Sequence, residues 1–158
     1  MKTASKPVIF IDLGGVYFTM ANEPISKQFS KRFDISKEKI VEALTGSYWT
    51  KHAEGRWTEG KFWKNVSGKL NISEKQAQEL RKAWYDYPTP IDGMANLVRM
   101  LKKKYEVAVL SSQVKEWVKI LERKYKISEA FHDQHYSFDH GVDKPSVKLF
   151  LKAARKMK

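Results

Sequence analysis

The stretch Pro7-Val8-Ile9-Phe10-Ile11-Asp12-Leu13-Gly14-Gly15-Val16 decides the fold. A short apolar run closed by turn residues is the pattern of a strand buried on both faces, as in a parallel sheet. Asp12 then stands at the carboxyl end of that strand, where open α/β sheets bind ligands. Gly14 and Gly15 let backbone N–H groups approach an anion closely. Taken alone, the stretch fits an ordinary Asp turn equally well, so the rest of the chain has to decide.

The 158 residues suffice for one domain of ordinary size, or a core with an insert. Such a chain buries roughly two thirds of its unfolded surface. There is no cysteine, which excludes disulfides, thiolate nucleophiles and cysteine-ligated zinc. The apolar stretch near the amino terminus is broken by Asp12 and two glycines, so it reads as a strand and neither a signal peptide nor a membrane span. A soluble, cytoplasmic protein with no membrane partner is expected. Lys and Arg number 30 against 18 Asp and Glu, and the net charge of +12 steers anions toward the chain. The cations are dispersed, with Lys102-Lys103-Lys104 closing a predicted helix. Phe62 and Trp63 fall at helical spacing with Val66 and Leu70, as core residues do, so nucleic acid is not the expected partner.

After the first strand the pattern is helical for about seventy residues. Ile25, Phe29 and Phe33 share a helix face, and Ser36, Thr58 and Ser73 are predicted to cap later helices. Tyr48 to Glu54 reads as a short helix, and Pro88 and Pro90 end the block. A helix from Asp92 to Lys103 leads into a second strand, Glu106 to Ser112. Another helix covers Val114 to Lys126, and His135 to Phe138 reads as a third strand. Ser146 opens the last helix, whose inward residues are expected to be Val147, Phe150 and Leu151. Strand, helical block, then alternating helix and strand describes an α/β core with an inserted helical bundle.

Three strand-associated ends stand out in chain order: Asp12-Leu13-Gly14-Gly15, Ser111-Ser112-Gln113, and Lys144-Pro145. A carboxylate, hydroxyls and an amine at one rim of a sheet can attack, hold and neutralise a phosphoryl group. Asp12 would be the nucleophile, Ser111 would donate to a phosphoryl oxygen, and Lys144 would pair with the nucleophile and the developing charge.

In these residues the chain resembles the haloacid dehalogenase-like superfamily, in the helical-cap branch whose first motif reads Asp-x-Gly-Gly-Val or Asp-x-Gly-Asn-Val. The carriers are Ile11 to Val16, Val109-Leu110-Ser111-Ser112 and Gly141-Val142-Asp143-Lys144-Pro145, and the resemblance spans about Lys6 to Leu151. Glu54-Gly55-Arg56-Trp57-Thr58-Glu59-Gly60-Lys61-Phe62-Trp63 is similar to a stretch of the family's cap. The resemblance implies a Rossmann-like parallel three-layer core at 1–17 and 89–158, with a helical cap at 18–88. It implies a Mg2+-dependent hydrolase, foremost a phosphatase of small organic phosphates. Asp12 and Lys144 would be catalytic, and Gly14, Gly15, Ser111, Ser112 and Lys144 would bind phosphate. Asp12 and the Gly14 backbone carbonyl would bind Mg2+. Arg56 is the cap candidate for substrate contact. Trp57, Phe62 and Trp63 fit bundle core better than substrate contact.

Two departures from the family pattern matter. Gly14 stands where most phosphatases of the superfamily carry a second Asp as general acid and base. The family also continues past the Lys-Pro helix to an apolar strand ending in paired acidic residues, and no such stretch follows Lys144. A core of about three strands is therefore expected. The edge of the first strand should be left open, to be covered by a second chain or by self-association. A non-catalytic phosphate-binding or interaction module, or a fragment of a split enzyme, is the alternative reading. Dehalogenation would use the same carboxylate.

Overall fold

A computed structural model describes residues 6–157. Strand β1 (Val8–Ile11) is followed by five helices: α1 (Asn22–Phe33), α2 (Lys37–Thr45), α3 (Ser47–Ala53), α4 (Glu59–Leu70) and α5 (Glu74–Asp86). Then come α6 (Met94–Leu101), β2 (Glu106–Ser111), α7 (Lys115–Tyr125), α8 (Ile127–Ala130), β3 (Asp133–Tyr136), α9 (Ser137–His140) and α10 (Val147–Lys156). The three strands form one parallel sheet in the order β1-β2-β3, with Ile11 opposite Val109 and Ser111 opposite Tyr136. Among the described residues, β1 is an edge strand.

Local chemistry accounts for the helix starts. Ser36 accepts from the Lys39 N–H and Thr58 from the Lys61 N–H, each at 3.3 Å. Ser73 and Gln76 form a reciprocal capping box. Each bond satisfies an amide that the first helical turn leaves without an internal partner.

The pleat of the strands separates two apolar layers. Val107 and Val109, with Ile11 packed alongside, join the main core together with Val98, Trp117 and Leu121. On the opposite face, Leu110 and Phe10 meet Leu149 and Ala153 of α10. Helices thus cover both faces, which gives the three-layer arrangement. The main core runs without a break into the helical block through Phe18, Ala21 and Trp84. Phe62 and Trp63 belong to it.

The structure corrects three expectations. The third strand lies at Asp133–Tyr136, and Ser137 begins a short helix instead of extending the ladder. The Ser137 hydroxyl donates to the Ala53 carbonyl at 2.6 Å and accepts from the Gln113 N–H at 3.1 Å, which ties the chain to its neighbours at that point. Helix α8 was not anticipated from the pattern. In α10, Val147, Phe150 and Leu151 are exposed, and Leu149 and Ala153 are buried instead. Phe10 and Leu110 select the Leu149–Ala153 stripe because those two residues are the apolar surface the sheet offers on that side.

His135 is fully buried beside the Phe10 ring, and His140 stacks obliquely near it. Burial holds both imidazoles below the ordinary histidine value. The unfolded chain therefore takes up these protons first as pH falls. Stability is full above the unfolded histidine value and is lost as pH drops below it toward the folded values. The urea midpoint should fall between pH 7.5 and pH 5.5, and His135→Leu should flatten that dependence. An equally steep loss in the variant would remove His135 as its source.

Candidate active site

Asp12 lies just past β1, and Ser111 ends the adjacent β2. The parallel register brings both to the same rim of the sheet. The Ser111 hydroxyl donates to Asp12 Oδ1 at 2.7 Å, and the Leu13 N–H donates to the same oxygen at 2.8 Å. Lys144 comes from the loop before α10, and its ammonium donates to Asp12 Oδ2 at 2.5 Å and to the Leu110 carbonyl at 3.4 Å. The Lys144 N–H donates to Ser112 Oγ and to Asp143 Oδ1, which fixes the lysine backbone against β2 and its own loop. The Asp12 and Lys144 side chains are about one third and one quarter exposed (35% and 24%), so a ligand can reach them.

The hydrogen bonds show where the donors and acceptors of the expected site residues go. Ser111 has one hydroxyl proton, and here it goes to Asp12. Ser112 accepts from Lys144, and its own proton stays available to an anion. Lys144 has three N–H donors, of which two are engaged. Gly15 sits at φ 75°, a conformation that suits glycine, and gives its N–H to the Phe18 carbonyl at 2.8 Å. That bridge uses the Leu13 and Phe18 backbone and leaves the Gly14 N–H and carbonyl outside it. Arg56 is exposed and paired with Glu54 at 2.5 Å. Among the described residues no hydrogen bond or ion pair joins it to the Asp12 cluster.

Two site neighbours carry no sequence signal of their own. A side chain on Gly14 would come 3.1 Å from Met20 Sδ and 3.6 Å from Gln113 Nε2, which places both over the turn after Asp12. Gln113 follows the two serines directly. Met20 is reached only because the chain doubles back between Gly15 and Phe18.

Among the described residues no group of three or more His, Cys, Asp or Glu side chains could hold a metal ion. Mg2+ needs less, because it keeps waters and binds through one or two carboxylates plus phosphate oxygens. Of the roughly four acceptor positions on a carboxylate, Asp12 commits three, to Leu13, Ser111 and Lys144. One remains, on Oδ2, and the Gly14 carbonyl is left outside the Leu13–Phe18 bridge, a donor set that fits a single cation.

No helix among the described residues is long and apolar enough to cross a membrane. No protein-family model matches the chain. It is 25% identical over 142 residues to an uncharacterized protein of Dictyostelium discoideum, and spans 87% of its own length but only 61% of that relative's. Among solved structures it is similar to the HAD family enzyme BT-2542 of Bacteroides thetaiotaomicron in complex with magnesium and inorganic phosphate. That match has a TM-score of 0.76 and 23% identity over 97% of this chain and 79% of the other. It is also similar to the magnesium-bound HAD hydrolase YfnB of Bacillus subtilis, with a TM-score of 0.67 and 17% identity over 96% and 74% of the two chains. A third match is L-2-haloacid dehalogenase of Xanthobacter autotrophicus, with a TM-score of 0.65 and 16% identity over 96% and 64%. An Asp12–Ser111–Lys144 cluster on a parallel sheet, with helices inserted after the first strand, is thus carried by the fold of the HAD family enzymes.

Proposed function

We propose that this protein is a phosphohydrolase of small organic phosphates that works through an aspartyl-phosphate on Asp12. The observation that carries this reading is the carboxylate fixed by Ser111 and the Leu13 N–H and paired with Lys144 at the open rim of the sheet. Asp12 Oδ2, giving up its hydrogen bond from Lys144, attacks phosphorus, its O–P bond forming as the bond from phosphorus to the leaving oxygen breaks. Water then cleaves the acyl phosphate, releasing inorganic phosphate and restoring the carboxylate. The spare N–H of Lys144 and the free hydroxyl of Ser112 are the donors for the phosphoryl oxygens. When bound, Mg2+ held by Asp12 and the Gly14 carbonyl would neutralise charge between the carboxylate and the phosphoryl group. The magnesium and phosphate complex of BT-2542 supports this reading. The net charge of +12 draws anionic substrates inward.

The test is release of inorganic phosphate from a panel of small phosphate esters and acyl phosphates, with Mg2+ and with EDTA. Turnover that EDTA abolishes is expected. Background release across the panel would leave a phosphate-binding module and overturn the hydrolase reading. Lys144→Met should lower kcat by about 10²–10³-fold, the range for removing one preorganised donor to developing charge. Because the pair is partly exposed, Asp12 is rehydrated in the variant and Tm should barely move. A kcat within a factor of three of wild type would remove Lys144 from the mechanism.

A further inference from the structure

A small cavity of about 60 Å³ opens between the helical block and the sheet unit. Three indoles wall it: Trp49 of α3, Trp84 of α5 and Trp117 of α7. Met20 and Gln113, the two residues that stand over Gly14, line it as well, so the cavity adjoins the turn that follows Asp12. Asn22 and Thr19 complete the polar part of the wall.

The lining has two chemical consequences. It contains no titratable side chain. A leaving oxygen seated against it has no acid to protonate it, and Gly14 supplies none. Departure is then fast only for a group that is stable as an anion. The wall is also apolar apart from two carboxamides and the Thr19 hydroxyl, none of them charged, so it takes an uncharged tail and penalises a charged one. Its volume holds a tail of about two or three carbon atoms, at roughly 20–30 Å³ of dense packing each.

From these features, and resting on the hydrolase reading above, we infer that the substrates are short-chain acyl phosphates of the acetyl and propionyl type. Attack by Asp12 breaks the bond from phosphorus to the acyl oxygen, and the acid leaves as its carboxylate with no proton required. The alkyl tail sits among the indoles, and the Asn22 and Gln113 amides are the donors for the acyl oxygens.

The experiment compares kcat/KM, each divided by the spontaneous rate, for acetyl, propionyl and benzoyl phosphate and for propyl phosphate, using the full chain with Mg2+. Propionyl phosphate should exceed acetyl phosphate by about fourfold, the worth of one buried methylene. It should exceed benzoyl phosphate by more than about tenfold, and propyl phosphate should be near background. Trp49 is only partly buried, so Trp49→Ala opens the cavity while the core beneath it stays filled. This variant should gain on benzoyl phosphate and lose its preference for propionyl phosphate.

Competitive inhibition of the wild type by propylphosphonate and benzylphosphonate gives the same comparison without turnover, should the variant fail to fold. Propylphosphonate should bind the tighter by more than about tenfold. Propyl phosphate hydrolysed as well as propionyl phosphate, or equal use of benzoyl and propionyl phosphate, overturns the acyl-phosphate inference and leaves the hydrolase standing. No Asp12-dependent turnover of any of these compounds overturns both.

Discussion

Asp12→Asn should reduce phosphate release by at least about 10⁴-fold while leaving the protein folded, because the nucleophile is lost and the shape is kept. The amide oxygen can still accept from Ser111 and the Leu13 N–H, so the turn retains its bonds. The amide nitrogen replaces the oxygen that faces the Lys144 ammonium, and two donors then oppose each other. Lys144 is partly exposed and turns to water, which limits the cost to stability. Phosphate assays over several hours, together with a thermal melt, check both halves. Release within tenfold of wild type from a folded variant would remove Asp12 as nucleophile and with it the aspartyl-phosphate.

The largest loss of stability is expected from Phe18→Ala. Phe18 is fully buried, its ring meeting Tyr17 at 5.0 Å, Tyr125 at 5.2 Å and Trp117 at 5.9 Å between centroids. Its N–H donates to the Leu13 carbonyl, its carbonyl accepts from the Gly15 N–H, and it lies opposite Pro90 in an antiparallel bridge. Truncation leaves a cavity where the helical block meets the sheet unit, and such changes cost about 3–5 kcal/mol. A domain of this size holds about 5–15 kcal/mol in total. The urea midpoint should drop accordingly, and the variant should lie near its unfolding threshold at 37 °C. A cost below about 1 kcal/mol would show that the aromatic cluster closes over the gap.

The candidate site was legible in the sequence to the extent that its residues sit at strand ends. Asp12, Ser111 and Lys144 each follow an apolar run or a turn signal, and a parallel sheet gathers such ends at one rim. The division of labour among them was not legible, because it depends on where single protons go. Ser111 and Ser112 are neighbours of the same type, and only the geometry gives one to Asp12 and leaves the other free. The helix starts at Ser36, Thr58 and Ser73 were readable because a cap is a bond between residues three apart.

The buried face of α10 was not readable, since Val147–Phe150–Leu151 and Leu149–Ala153 both repeat at helical spacing. Distant residues of the sheet choose between the two stripes. The indole-walled cavity was hidden for a related reason. Helical spacing does not say whether Trp49, Trp84 and Trp117 meet each other or enclose a space.

The two passages of the chain between the sheet unit and the helical block lie side by side. The Thr19 N–H donates to the Thr89 carbonyl, the Thr89 N–H to the Thr19 hydroxyl, and the Ile91 N–H to the Tyr17 carbonyl. This clasp bears on the order in which the protein folds. Strand β1 must pair with β2 across the whole interval from Ile11 to Glu106, an entropically slow closure for an open chain. Helices α1 to α5 make their contacts largely with one another and at short range, so they can assemble first. Once Thr19 meets Thr89, the search left to β1 shrinks to the few residues on either side of the clasp. The inserted helices thereby become the scaffold on which the sheet, and with it the Asp12 site, closes.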